Sequence, residues 1–147
     1  MTDGEGGRLL AVDWGERRIG LALSDESQTL AQPLTTLTRR AGKRFPMRRL
    51  LALLEEHAVI GVVVGLPLAP EGTEGEAARQ ARELAREIAR RADRPVELWD
   101  ERFTTARALG AVREMGGTTR GRKEDVDALA ATLLLQHYLD ARRGGVT

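Results

Sequence analysis

Four carboxylates stand where the chain leaves regular patterns: Asp13 after the apolar run LLAV, Asp100 and Glu101 after VELW, and Asp127 early in KEDVDALAATLLLQHYLD. If the two apolar runs are parallel strands, their ends lie on one rim, and in open α/β sheets that C-terminal rim is where ligands bind. Acids brought to one rim from distant points of a chain form a site for hard divalent cations. Their oxygens suit Mg²⁺ and Mn²⁺, and two such ions about 4 Å apart can activate a water and stabilise the leaving oxygen in phosphodiester hydrolysis. Each acid also has a plain structural use. Asp13 can cap a turn with Gly15, Asp100 or Glu101 can cap a helix beginning near Thr104, and Asp127 suits the N-terminal end of a helix. Their joint occurrence points to chemistry.

The elements that must position them are short and alternate in type. Leu9 to Val12 and Ile19 to Leu23 are aliphatic runs whose link is too short for a crossover, so they pair as antiparallel strands. Asp13 then ends a strand, and Gly15 lets the chain reverse beside it. A third run, Pro33 to Leu37, continues the meander as an edge strand, where proline's missing N–H is harmless. Pro46 opens a helical pattern of Met47, Leu50, Leu51 and Leu54 that ends near His57. The run from Ala58, AVIGVVVGLPL, reads as a strand buried on both faces of a parallel sheet.

Glu74 to Ala92 is an alanine-rich helix with Ala77, Ala81, Leu84, Ala85, Ile88 and Ala92 on one stripe. On its polar side Glu87 and Arg91 form an attractive pair, whereas Glu83 and Glu87 do not. Pro95 to Trp99 is the next strand, followed by a helix over Thr104 to Met115. In the last helix, Glu124 to about Arg142, Val126, Leu129, Ala130, Leu133 and Leu134 face the core. Asp127 lies at that face's border, and Ala130 and Ala131 permit close approach to the sheet. The order β-β-β-α-β-α-β-α-α is a mixed α/β layer fold with helical crossovers.

Composition bounds the rest. A chain of 147 residues suits one domain, here 9–143, with 1–8 and 144–147 expected as flexible tails. Cysteine is absent, which removes disulfides and thiolate metal sites. MTDGEGGR has no signal-like apolar core and no run is long enough to span a bilayer, so the expectation is a soluble, cytoplasmic protein without membrane contact. The net charge is only +1, yet arginines cluster at 17–18, 39–44, 48–49 and 120–123, and patches matter more than sums when the partner is a phosphate backbone.

Four blocks, DWGERRIGLALSD, VVVGLPLAPEGTEG, DERFTTARA and DVDALAATLLLQHYLD, resemble the YqgF/RuvX family, which is similar to RuvC-type Holliday junction resolvases. The resemblance spans about Leu9 to Asp140. It implies an RNase H-like fold: a five-stranded mixed sheet in the order 3-2-1-4-5, its second strand antiparallel to the first, fourth and fifth. Carried over by motif, the catalytic and metal-binding acids are Asp13, Glu101 from DER, and Asp127, holding Mg²⁺ or Mn²⁺. Resolvases and ribonuclease H usually carry their second acid on the fourth strand, where this chain has VVVGLPL. The resemblance implies that in this family the neighbouring fifth strand supplies it, and Asp100 is a rival to Glu101 because adjacent strand residues face opposite ways.

With such a rim, nucleic acid is the expected partner. Arg17, Arg18, Arg102, Arg120, Arg122 and Lys123 are the candidates to grip its backbone, with hydroxyl contacts from Thr104 and Thr105; such contacts position a substrate without reading its sequence. GLPLAPEGTEG is a glycine-rich loop at the same edge, but lacks the lysine and hydroxyl of a phosphate-binding Walker loop. Trp14 is expected to pack rather than to stack on a base, since the chain lacks a row of rings. His57 and His137 read as structural. The resemblance implies a metal-dependent endonuclease acting on the 5′ end of precursor 16S rRNA, the preferred role, or on branched DNA. A homodimer would suit the latter and a monomer the former. A nucleotide phosphotransferase needs a second domain that this length cannot supply, and a binding protein that has lost its chemistry would not need all three acids.

Overall fold

The computed structural model describes residues 6–15, 17–39, 44–69, 71–103 and 123–143. Strands β1 (Arg8–Asp13), β2 (Arg18–Ser24) and β3 (Ala31–Thr38) form a meander. Then come α1 (Met47–Glu56), β4 (Val59–Leu66), α2 (Glu76–Ala92), β5 (Val96–Asp100), a 3₁₀ turn (Glu101–Phe103) and α3 (Lys123–Arg143). The five strands form one sheet in the order β3-β2-β1-β4-β5. β1 is antiparallel to β2 and parallel to β4, and β4 is parallel to β5, the arrangement the resemblance implies. Pro33 sits on edge strand β3, where the register with β2 slips between Leu21 and Ala22; a bulge on an edge is where proline costs least. The expected helix Thr104–Met115 lies outside the described residues.

Strand alternation divides the core into two layers. Leu10, Val12, Val62 and Val64 face α1 and α2, whereas Leu9, Ala11, Ala22 and Val63 face α3. A fully buried side chain of this size is worth about 1.5–3 kcal/mol over its exposed state, and Leu9, Leu10, Ile19 and Leu21 are all fully buried. A one-residue slip of β1 would carry Asp13 into the opposite layer, so burial of its neighbours fixes which face the acid takes.

The helices depart from the expected faces in two places. α2 starts at Glu76 because Glu74 is occupied elsewhere: it bridges to Leu68 and its carboxylate accepts from Arg82. Ala77 therefore falls in the exposed first turn, and Ala78 takes the first buried place. The Glu87–Arg91 pair forms at 3.8 Å. In α1, Leu53 joins Met47, Leu50 and Leu54 as buried, and Leu51 is only partly so.

α3 buries Ala128, Ala130, Ala131, Leu134, Leu135, Tyr138 and Leu139, so Leu129 and Leu133, expected in the core, are only half-buried. The side chain of Val126 is outside the described part. The helix is rotated relative to the expected face because its first turns reach the sheet through backbone. That rotation sets Asp127, four residues before Ala131, in line with the buried stripe rather than at its border.

Candidate active site

Asp13 is the last residue of β1, and its cross-strand partner on β2 is Gly20. On the other side, one residue beyond the Val12–Val64 pair, stands Gly65 of β4. All three positions continue the side-chain row that faces α3, since Ala11, Ala22 and Val63 lie in that layer. Neighbouring strands are roughly 4.8 Å apart, so what rests on either glycine lies close beside Asp13.

Both places are taken by the elements carrying the other two acids. A Cβ at Gly20 would overlap the carbonyl oxygen of Asp127 and lie 3.1 Å from the amide nitrogen of Ala128. The backbone of α3 thus crosses directly on the sheet at Asp127. A Cβ at Gly65 would overlap Oε1 of Glu101 and sit 2.9 and 3.0 Å from its Cδ and Cγ. The Glu101 side chain therefore lies across Gly65. Glycine in a strand interior commonly marks such a close approach. These two glycines position the rim, and the sequence reading missed them; the available signal was a glycine interrupting each branched aliphatic run, in RIGLAL and VVVGL.

Asp100 and Glu101 are separated by the same geometry. On β5, Trp99 packs in the α3 layer and Leu98 in the opposite one, so Asp100 falls on the face away from Asp13. Its carboxylate accepts from Arg102, from Nε at 3.0 Å, from Nη2 at 2.8 Å and from the backbone N–H at 2.9 Å. The Arg102 guanidinium, helped by that N–H, holds the Asp100 carboxyl below the usual carboxylate range. Asp100 thus anchors the start of the 3₁₀ turn, and Glu101 is the acid delivered to the rim.

The cations are arranged less simply. Arg18 Nε donates to Asp127 Oδ2 at 2.6 Å, with both side chains partly exposed, so it neutralises an acid of the rim. Arg17 is exposed, and its carbonyl accepts from the Arg39 N–H at 2.7 Å. Arg102 is exposed beside the glycine-rich loop, its guanidinium 3.2 Å from where a Cβ on Gly72 would be. Gly72 has φ +91°, a conformation that suits glycine in this tight turn. Thr104, Thr105, Arg120 and Arg122 lie outside the described residues, and Lys123 is described only as the first residue of α3.

With Asp127 turned to Arg18, no group of three or more His, Asp or Glu among the described residues is close enough as placed to hold a metal ion. The rim therefore collects the three acids' elements without closing them into a cage. Carboxylate oxygens nonetheless are the donors that Mg²⁺ and Mn²⁺ take, and the two side-chain-free positions beside Asp13 let the Glu101 side chain and the start of α3 approach it closely.

Trp14 packs against the α1/α2 layer and donates its Nε1–H to Gln80 Oε1 at 3.1 Å. Gly15 makes the turn: a Cβ there would overlap the Arg18 carbonyl. His57 closes α1, its N–H bonded to the Leu53 carbonyl, and His137 Nδ1 accepts from Trp99 Nε1 at 3.1 Å. No described helix is long and apolar enough to cross a membrane.

Comparison with known proteins bears on this rim. Residues 7–141 match the family described as RuvX, Holliday junction resolvase. A protein of Koribacter versatilis is 42% identical over 136 residues, covering 92% of this chain and 88% of its own. One of Mycobacteroides abscessus is 45% identical over 139 residues, covering 93% and 83%. Both are provisionally named pre-16S rRNA nucleases. The structure of T. thermophilus RuvC in complex with a Holliday junction substrate aligns over 94% of this chain and 96% of that one, with a TM-score of 0.55 and 19% identity. That likeness establishes the RNase H-like fold.

Proposed function

Because this chain belongs to the RuvX family and is a nuclease, we propose that it hydrolyses phosphodiester bonds at the Asp13, Glu101 and Asp127 rim with bound Mg²⁺ or Mn²⁺, maturing the 5′ end of precursor 16S rRNA in the cytoplasm. The observation that carries the reading is the pair of glycines flanking Asp13, one filled by the backbone of Asp127 and the other by the side chain of Glu101. The elements carrying Glu101 and Asp127 thereby rest on the strands to either side of Asp13, on the same face of one sheet edge.

Asp13, Glu101 and Asp127 would hold the metal. Divalent ions held there would supply Lewis-acid activation of a water and charge stabilisation at the leaving oxygen. The chain's own part is to present oxygens and to position phosphate. Arg18 keeps Asp127 neutralised until its carboxylate is needed, and once exchanged stands at the rim as a cation for the substrate backbone. Arg17 and Arg102 grip phosphates on either side, and Thr104, Arg120, Arg122 and Lys123 extend that grip on the segment leading into α3.

Branched DNA is the second reading, favoured by the resolvase description of the matched family. Cleavage assays with Mn²⁺ on a precursor rRNA fragment and on a four-way junction, run in parallel with Asp13→Asn, test both. The substitution is expected to cut the rate on the order of a thousandfold, about 4 kcal/mol of barrier, while leaving the denaturation midpoint near that of the parent. Undiminished cutting by Asp13→Asn removes this acid from the reaction. Preferential cutting of the junction hands the reading to DNA.

A further inference from the structure

On the opposite face of the sheet, a cavity of about 430 Å³ opens beside the same rim. Its head is formed by Trp14, Arg39, Arg44 and Phe45, and Glu83, Glu87 and Arg91 line it along α2. Trp14 immediately follows Asp13, so strand alternation sends the acid to one face and the indole to the other. Arg39 follows the end of β3 and is tied to the rim by its N–H bond to the Arg17 carbonyl.

The head of the cavity has the composition of a base-stacking clamp. The Trp14 and Phe45 rings lie 6.0 Å apart at 29°, and the Arg39 guanidinium sits 4.9 Å from the Trp14 centroid. The Trp14 bond to Gln80 fixes the orientation of the indole. Single-stranded bases stack on aromatic rings and on Arg guanidinium planes, and the Arg39–Trp14 pair supplies both. The wall adds polar partners. Glu83, and Glu87 paired with Arg91 at 3.8 Å, present carboxylate oxygens that can accept from base N–H groups, while Arg39, Arg44 and Arg91 offer cations to the backbone. The volume falls in the range of small-ligand sites, about 300–1,000 Å³, enough for one nucleobase.

We infer that this cavity receives one unpaired nucleobase of the substrate, next to the scissile phosphate, stacked on the Arg39–Trp14 pair, so that the indole packs on the core and also backs the base. The inference rests on the nuclease reading for its ligand, and it makes a single-stranded flank a recognised feature of the substrate. Trp14 is a positioning residue here, acting through where it holds the strand relative to Asp13.

The test uses the full chain carrying 5-fluorotryptophan, whose resonances report Trp14 and Trp99 separately, with Trp14→Phe assigning them. Titration without metal by adenosine monophosphate and by a short single-stranded RNA is expected to move the Trp14 resonance. Ribose 5-phosphate, and the same RNA with an abasic centre, are expected to leave it in place. In cleavage, Trp14→Ala is expected to raise KM on the order of tenfold, the scale of one lost stacked base, with kcat little changed and Trp14→Phe restoring most of the loss. A Trp14 resonance that stays still while RNA binds, or that moves equally with the abasic RNA, overturns the cavity's role and leaves the Asp13 result standing. Conversely, loss of the Asp13 requirement with intact Trp14 shifts would overturn the rim and not the cavity. The wild-type titration needs no variant to fold.

Discussion

Two aspartates stand at opposite ends of this sheet, Asp13 closing β1 and Asp25 just past the end of β2, and their surroundings differ in kind. Asp25 is wrapped by its own turn. Its oxygens accept from the Ser27 hydroxyl at 2.6 Å and from the backbone N–H groups of Thr29 and Leu30 at 2.8 and 3.1 Å. Asp13 is instead flanked across the sheet by Gly20 and Gly65, and what presses on those glycines comes from α3 and from the turn after β5. The first acid completes a local motif within six residues; the second is the centre of a long-range assembly. An acid at a strand end is thus neither functional nor structural by its position. The neighbouring strands decide, by the side chains they lack.

That contrast breaks most sharply at Gly20. Its missing side chain is replaced by helix backbone, which cannot swing aside, so Gly20→Ala has to lift the start of α3 off the sheet. Overpacking of this kind is expected to cost about 3 kcal/mol or more, read as a fall in the urea midpoint together with loss of cutting. A variant as stable as the parent would mean that α3 does not bear on β2 at Asp127. Gly65→Ala makes the complementary case, because its obstacle is a carboxylate at the end of a flexible side chain. The midpoint should hardly move, while Glu101 is displaced by about an ångström and cleavage falls roughly a hundredfold. Full activity in Gly65→Ala would take Glu101 out of the site.

The difference also explains what sequence could and could not reveal. Strand order was readable, because apolar runs such as LLAV and VVVGLPL report burial directly and the four blocks fall in order. The separation of Asp100 from Glu101 was not. It depends on which face of β5 packs on α3, and that is set by Trp99 and Tyr138, whose rings meet edge-on at 5.1 Å across the interface. The face of α3 was misread for a related reason: hydrophobic spacing assumes that side chains make the contact, whereas Gly20 lets backbone do so. Arg18 was read as a phosphate contact, and its pairing with Asp127, 109 residues away, has no local signature.

At the other end of the sheet the smallest effect offers the cleanest control. The Ser27 hydroxyl, followed by the Thr29 and Leu30 N–H groups, pulls the Asp25 carboxyl down to about 2 from an ordinary 3.8. Because the folded state favours the charged form, this stabilisation is fully present above the unfolded value and is lost as pH falls from about 4 through about 2. Asp25→Ala should therefore be less stable than the parent at pH 5, by about 1 kcal/mol once solvent screening at this exposed turn is allowed for. The gap between the two urea midpoints should shrink to a small fraction by pH 2, with metal-dependent cutting at neutral pH untouched. A gap that persists unchanged to pH 2 would show that the turn is held by its backbone bonds alone, and a loss of cutting would show that the two ends of the sheet are coupled rather than independent.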